Sequence, residues 1–389
     1  MHSYCGPRII VGVRIFLPLL LAIAAACAGR GTGTPAPGPD PVPAIYSLAA
    51  EVVLRSPPAP GTGGYRFGGL SGIVALRDGR ELLAVSDDED NSRVVRLHVV
   101  PGPGWNVKLA GTIALGTGDG APARLDPEGI ALTSEGHLLI SSEGFGSQEP
   151  RLPPSIVEYS PDGRFIRQLH VRDRYHPNPS GPLVTGVPPN AGFESLTTSP
   201  DFARLFTAGE RPLTQDGAAD TFERGSRARI LEYIRRDGSY QPAREFAYEI
   251  EALEKPPYPV RFAINGLVEM LAVSRTELLA LERGFVESED RAKTVNRIRI
   301  FRISLEGASD ISGLETLRGV AAVVPVRKVL VADLSGLPGL SPALKDLDNF
   351  EGLAWGPAGP DGVRPLIVVS DDNFSERQMT AFLFLRPGG

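Results

Sequence analysis

Five times along this chain of 389 residues one pattern returns: an apolar step led by glycine or an acid, a turn, a run of aliphatics, and an acid. The copies are GGLSGIVALRDGRELLAVSDD (68–88), LDPEGIALTSEGHLLISSEG (125–144), GFESLTTSPDFARLFTAGER (192–211), INGLVEMLAVSRTELLALERG (264–284) and NFEGLAWGPAGPDGVRPLIVVSDDN (349–373). With Ser71, Glu128, Glu194, Asn265 and Glu351 as equivalent positions, the intervals are 57, 66, 71 and 86 residues. A period of that length suits a four-stranded sheet with generous loops, and repeated sheets bury their faces on one another. The 44 glycines and 36 prolines favour short strands and many turns over long helices.

Further apolar runs supply the remaining strands. They lie at 93–100 and 107–115 after the first copy, 155–160 and 165–171 after the second, and 228–235 and 244–250 after the third. The fourth copy is followed by 297–305 and 323–334, the last only by 380–386. One stretch near the N-terminus, YSLAAEVVL (46–54), is spare. Added to the last sheet it closes a ring and removes its open edges. The expected fold is therefore all-β: a β-propeller of five four-stranded blades closed by an N-terminal strand. A six-bladed ring is the alternative, since the interval of 86 residues has room for an irregular blade.

In such a ring the innermost strands line a central channel, and equivalent residues meet around it. The acids of the first position (Glu128, Glu194, Glu351) and the second (Asp87, Asp88, Glu143, Glu210, Glu282, Asp371, Asp372) then converge near the axis. Crowded carboxylates raise one another's pKa. Three devices relieve them: a hard cation such as Ca²⁺, arginines such as Arg211 and Arg283, or protonation that leaves an acid–base pair. Against this stands a purely structural use, in which strand-ending acids latch their own turns through backbone hydrogen bonds.

The other chemistry-bearing signals are weak. No two of the five histidines have a metal-ligand spacing, and a net charge of −6 gives no footprint for nucleic acid. GLSGI around Ser71 lacks the second glycine of a nucleophile elbow. Two loops are long enough to bear on function, the Pro-rich 176–190, which can arch over the channel mouth, and the charged 287–295.

The N-terminus reads as an address. Arg8 and Arg14 precede the apolar run IFLPLLLAIAAA (15–26), which has signal-peptide length and is short for a membrane span. Small residues before Cys27, then a Gly/Pro tether, resemble a bacterial lipoprotein signal, although Ala24 stands where leucine is commoner. The expected organisation is a signal peptide (1–26), a tether (27–43) and a propeller (44–389). Acylation of Cys27 and removal of Cys5 leave no thiol for a disulfide. An ordinary signal peptide and a soluble periplasmic or secreted product is the alternative.

The ordered set GLSGI (69–73), DPEGIAL (126–132), SSEG (141–144), FESL (193–196), GER (209–211), LERGF (281–285), FEGLAW (350–355) and VVSDDNF (368–374) resembles the esterase-like phytase family over roughly 67–385. The resemblance implies an exported protein with phosphoesterase-type hydrolysis carried by Glu and Asp. The histidine motif RHG of another phytase class is absent. Two functions follow as expectations. One is a metal-assisted hydrolase of phosphate or similar esters, acting as a monomer on a small anionic substrate and touching membrane only through its lipid. The other is a non-catalytic envelope binding propeller with a structural cation.

Overall fold

The computed structural model describes residues 46–54, 64–102, 104–117, 120–219 and 222–388. The expected signal peptide, the tether and Cys27 lie outside the described residues. The strands are β1 (Tyr46–Leu54), β2 (Leu70–Ala75), β3 (Glu81–Ser86), β4 (Arg93–Val100), β5 (Asn106–Ala114), β6 (Pro127–Leu132) and β7 (Leu138–Ser142). They continue with β8 (Ser155–Tyr159), β9 (Phe165–Gln168), β10 (Phe193–Thr198), β11 (Arg204–Gly209), β12 (Ser226–Arg236), β13 (Ser239–Ile250) and β14 (Val260–Ala272). The last are β15 (Glu277–Ser288), β16 (Thr294–Ser304), β17 (Arg327–Asp333), β18 (Asn349–Trp355), β19 (Leu366–Asp371) and β20 (Thr380–Pro387).

These strands make five antiparallel sheets of four: β2-β3-β4-β5, β6-β7-β8-β9, β10-β11-β12-β13, β14-β15-β16-β17 and β1-β20-β19-β18. The fold is a five-bladed β-propeller. The 86 residues from Asn265 to Glu351 hold no sixth blade; β14 to β17 and the loops 305–326 and 334–348 fill them. β1 pairs with β20 from Tyr46↔Pro387 to Leu54↔Thr380, so a strand from the start of the domain completes the last blade. No helix among the described residues is long and apolar enough to cross a membrane.

The hydrophobic core is divided among the five blade interfaces. Val85, Val94, Ile130 and Ile140 pack the first blade on the second, and Leu139 and Ile156 pack the second on Phe193 and Leu196 of the third. Phe206 and Ala208 meet Leu267 and Met270; Leu279 and Leu281 meet Phe350 and Leu353; Ile367 and Phe382 return to Leu70 and Ile73. Each inner sheet is thus covered on both faces, which is why β19 reads LIVVSD with all six residues buried rather than alternating.

Blade contact at the axis is tighter still and explains the glycines Gly72, Gly129 and Gly352, which follow Ser71, Glu128 and Glu351. A Cβ on Gly72 would stand 2.5 Å from the Glu128 carbonyl oxygen, and one on Gly129 2.8 Å from that of Glu194. On Gly352 it would meet the Ser71 carbonyl oxygen at 3.0 Å. The backbone of the first-position residue in one blade therefore rests on the glycine of the preceding one.

Candidate active site at the channel mouth

Where the inner strands begin, a cavity of about 920 Å³ opens on the axis. Its lining includes Ser71, Asp87, Glu89, Asp126, Glu128, Glu143, Glu194, Glu210, Glu351 and Asp371, with Arg211 and Arg283. The side chains are aimed there by β-bulges. The ladder slips between Leu70 and Ile73, Pro127 and Ile130, Phe193 and Ser195, and Phe350 and Gly352. Ser71, Glu128, Glu194 and Glu351 sit in those slips, and a bulge re-aims the unpaired residue. The acids of the second strands stand beside them, with the Asp87, Glu143 and Glu210 amides donating to the Gly69, Asp126 and Gly192 carbonyls.

The fourth blade differs. Its ladder runs unbroken through Asn265↔Gly284 and Gly266↔Arg283, and the slip comes later, between Leu267 and Glu269. Moving a strand by one residue exchanges its two faces. Ile264 and Arg283 therefore line the cavity, while Asn265 and Glu282 are fully buried outside it. Asn265 Nδ2 donates to Glu282 at 3.1 Å, Tyr248 Oη donates at 2.8 Å, and Lys328 Nζ lies 2.6 Å away. Glu282 is thus a paired structural acid, not a member of the ring.

Two further acids from the sequence reading turn away. Asp88 is ion-paired with the buried Arg93 at 2.6 Å and accepts from the Asn91 amide. Asp372 accepts from the Gly69 and Phe374 amides at 2.9 and 3.1 Å and from Thr380, latching the last blade to the first. These two perform the turn-latching role. Conversely Asp126, in DPEG, belongs to the site and escaped the sequence reading, because its position ahead of the strand has no acid in the other copies.

The arginines divide the ring. Arg283 Nη2 lies 3.1 Å from Glu351 and 3.6 Å from Glu210, and Arg211 Nε donates to Glu210 at 3.2 Å. Arg211 also donates to the Pro189 and Asn190 carbonyls, bringing the end of the Pro-rich loop to the cavity wall. That loop is anchored from behind by buried Glu245, which accepts from Arg172 at 2.7 Å and Tyr175 at 2.9 Å. The segment 287–295 is the plain hairpin turn between β15 and β16.

On the other side no arginine among the described residues is ion-paired with the acids, and Arg124, paired with Glu89, acts on Asp126 only from a distance. Asp126, Glu128 and Glu143 each offer a carboxylate oxygen within 4.8 Å of the others. The Asp126 and Glu143 carboxyls hydrogen-bond to each other, and Glu143 also accepts from the Gly192 amide at 3.2 Å. Burial, then Glu89, pushes Asp126 up to about 7; burial, then Asp126, pushes Glu143 up to about 8. Glu128 and Glu194 are raised well above the carboxylate range by burial and then by neighbouring acids. Across the ring, burial lifts Glu351 to about 7 against Arg283, and lifts Asp87 to about 6 with help from Asp372. Asp371 is raised well above its usual value by burial, then Asp87 and Glu351, and one buried Asp87 oxygen has no hydrogen-bond partner. The donor set is all carboxylate oxygen, which fits a hard divalent cation of the calcium type. Such a ring holds protons at neutral pH unless a cation replaces them.

The chain is similar to several known proteins. The chain is similar to an endo-arabinase from Bacteroides thetaiotaomicron, at 11% identity over 83% of this chain and 95% of that one, with a TM-score of 0.39. It is similar also to a gluconolactonase from Xanthomonas campestris, at 12% identity over 89% and 99%, with a TM-score of 0.33. An uncharacterized secreted protein of Arthroderma benhamiae is 29% identical over 140 aligned positions, covering 30% of this chain. The chain spans about a quarter of that relative's length, since the match covers 26% of it. The ordered motifs that build the ring lie within residues 65–374, which match the family model described as phytase-like, esterase-like activity of phytase. With most of its length and its whole acid ring inside that match, the chain belongs to the phytase-like family.

Proposed function

We propose that this propeller hydrolyses small anionic esters, phosphate monoesters foremost, in the mouth cavity with a divalent cation held by Asp126, Glu128 and Glu143. The observation that carries this reading is the split of the ring: among the described residues three oxygen donors with no ion-paired arginine face a cavity that also holds Arg283. When bound, a cation there neutralises substrate charge and polarises the ester. Arg283, with Arg211 beside it, holds an anionic oxygen of the substrate. Glu351, titrating near neutrality, takes the proton of the attacking water as the new bond to phosphorus forms. Glu194, whose carboxyl is held well above the usual range by burial and by Glu143, gives its proton to the departing alkoxide, so ester and water become alcohol and phosphate. The protein acts as an exported monomer, lipid-anchored through Cys27.

The test is calorimetry of the purified protein with Ca²⁺, repeated with Asp126→Asn plus Glu143→Gln, and a phosphate-ester assay with and without the ion. Binding lost in the double variant and turnover that needs the ion support the reading. Absence of binding at millimolar Ca²⁺ sinks it and leaves a binding propeller with a proton-bridged acid ring. Acylation is read separately, by fatty-acid labelling of the full chain and of Cys27→Ala.

A further inference from the structure

The inner hairpin of the fourth blade is longer than the others. β14 has 13 residues and β15 has 12, whereas β2, β6 and β10 have 6 each. The excess lies where β14 begins and β15 ends, the end at which the acids gather, so this hairpin rises past the ring as one wall of the cavity. Its cavity face follows from the register. Gly266↔Arg283 is one cross-strand pair on that face, Ile264↔Phe285 is the next above it, and Phe262 stands beyond. Phe262, Ile264 and Phe285 all line the cavity. The two phenyl rings are tilted 6.1 Å apart, and Phe262 is 47% exposed, an aromatic left open to water beside a charged site. Pairs on one strand face are about 7 Å apart. An anionic group held at Arg283 therefore carries its next carbon atoms onto Phe285 and Ile264.

Charge excludes the opposite kind of substrate. Nine carboxyl side chains and two arginines line the cavity; Arg211 already serves Glu210 and the 189–190 carbonyls, and Arg283 already faces Glu351 and Glu210. A polyol bearing many phosphates would bring more negative charge than Arg283 and one cation neutralise. We propose that the wall formed by Phe262, Ile264 and Phe285 binds the apolar part of an ester with a single anionic head, so that the substrates are aryl or alkyl monoesters and not polyphosphorylated polyols. This rests on the hydrolase reading for its chemistry, but the wall is tested by binding alone.

The experiment is calorimetry on the full chain with Ca²⁺, using phenylphosphonate, methylphosphonate and inositol hexakisphosphate, none of which needs turnover. Phenylphosphonate is expected to bind about tenfold more tightly than methylphosphonate, as burial of a ring on apolar side chains gives. That ratio is expected to fall toward one in Phe262→Ala and to be largely kept in Phe262→Leu, with thermal melting as the check that both are folded. A ratio near one in the unaltered protein overturns the wall, as does tighter binding of the hexakisphosphate than of phenylphosphonate. If the ratio holds and no ester turns over, hydrolysis falls and the wall stands. If neither phosphonate binds at 10 mM, both fall.

Discussion

At the scale of single residues, the acids of the repeat divide into two kinds that sequence alone does not separate. Glu282 aligns with Glu210 and Asp371, yet it serves Tyr248, Asn265 and Lys328 inside a blade. Glu282→Gln is therefore expected to cost about 1–3 kcal/mol, since Tyr248, Asn265 and the half-buried Lys328 lose a charged acceptor. The variant should melt earlier while Ca²⁺ affinity by calorimetry stays as it was. Asp371→Asn should behave in the opposite way. Its folded pKa is raised, so the carboxylate destabilises the fold increasingly as pH rises above its unfolded value. The cation-free variant should match the unaltered protein at pH 4 and melt later at pH 8. Glu351→Gln is expected to lower kcat at least a hundredfold in an ester assay, the scale of a lost general base.

At the scale of elements, the bulges and glycines of the inner strands set the site. Gly129→Ala would put a methyl group 2.6 Å from the Leu196 amide nitrogen and 2.8 Å from the Glu194 carbonyl oxygen, both backbone atoms. Such overpacking costs about 2–3 kcal/mol, and chemical denaturation should show it. Because the strand that must shift carries Glu194, turnover should fall together with stability. β1 is the other element with a definite role. Removing residues 46–54 leaves β20 as an open edge, and the truncated chain is expected to associate in size-exclusion chromatography. The strand run 46–54 was legible because it stood spare beside a last repeat one strand short. The rise of the fourth hairpin was not, since extra residues in a β-rich segment look like any loop until their partners are known.

For the whole molecule, the ring sets a pH window. Asp87 at about 6, Asp126 and Glu351 at about 7 and Glu143 at about 8 are all raised from ordinary carboxylate values. Each contributes stability that is present below the unfolded pKa near 4 and lost as pH rises through the folded one. The melting temperature without added cation should therefore fall between pH 4 and 8. Ca²⁺ should restore it most at the high end, where binding need not displace protons. A melting temperature flat across that range, measured by calorimetric scanning, would contradict the assignment of the ring.

The chain's sequence alone determined the repeated four-stranded unit, the strand that closes the ring, and the convergence of acids on the axis, and it favoured five blades over six. Each of these follows from local periodicity and from counting repeats, which need no knowledge of partners. Which acids face the axis was decided only by tertiary structure. A side chain's face depends on strand register, and one slipped residue sends Asn265 and Glu282 inward to the blade while Arg283 takes the cavity. Tertiary packing also joins Asp126 to the ring and turns Asp372 toward Gly69, far away in the chain, whereas Asp88 turns to Arg93 only five positions on.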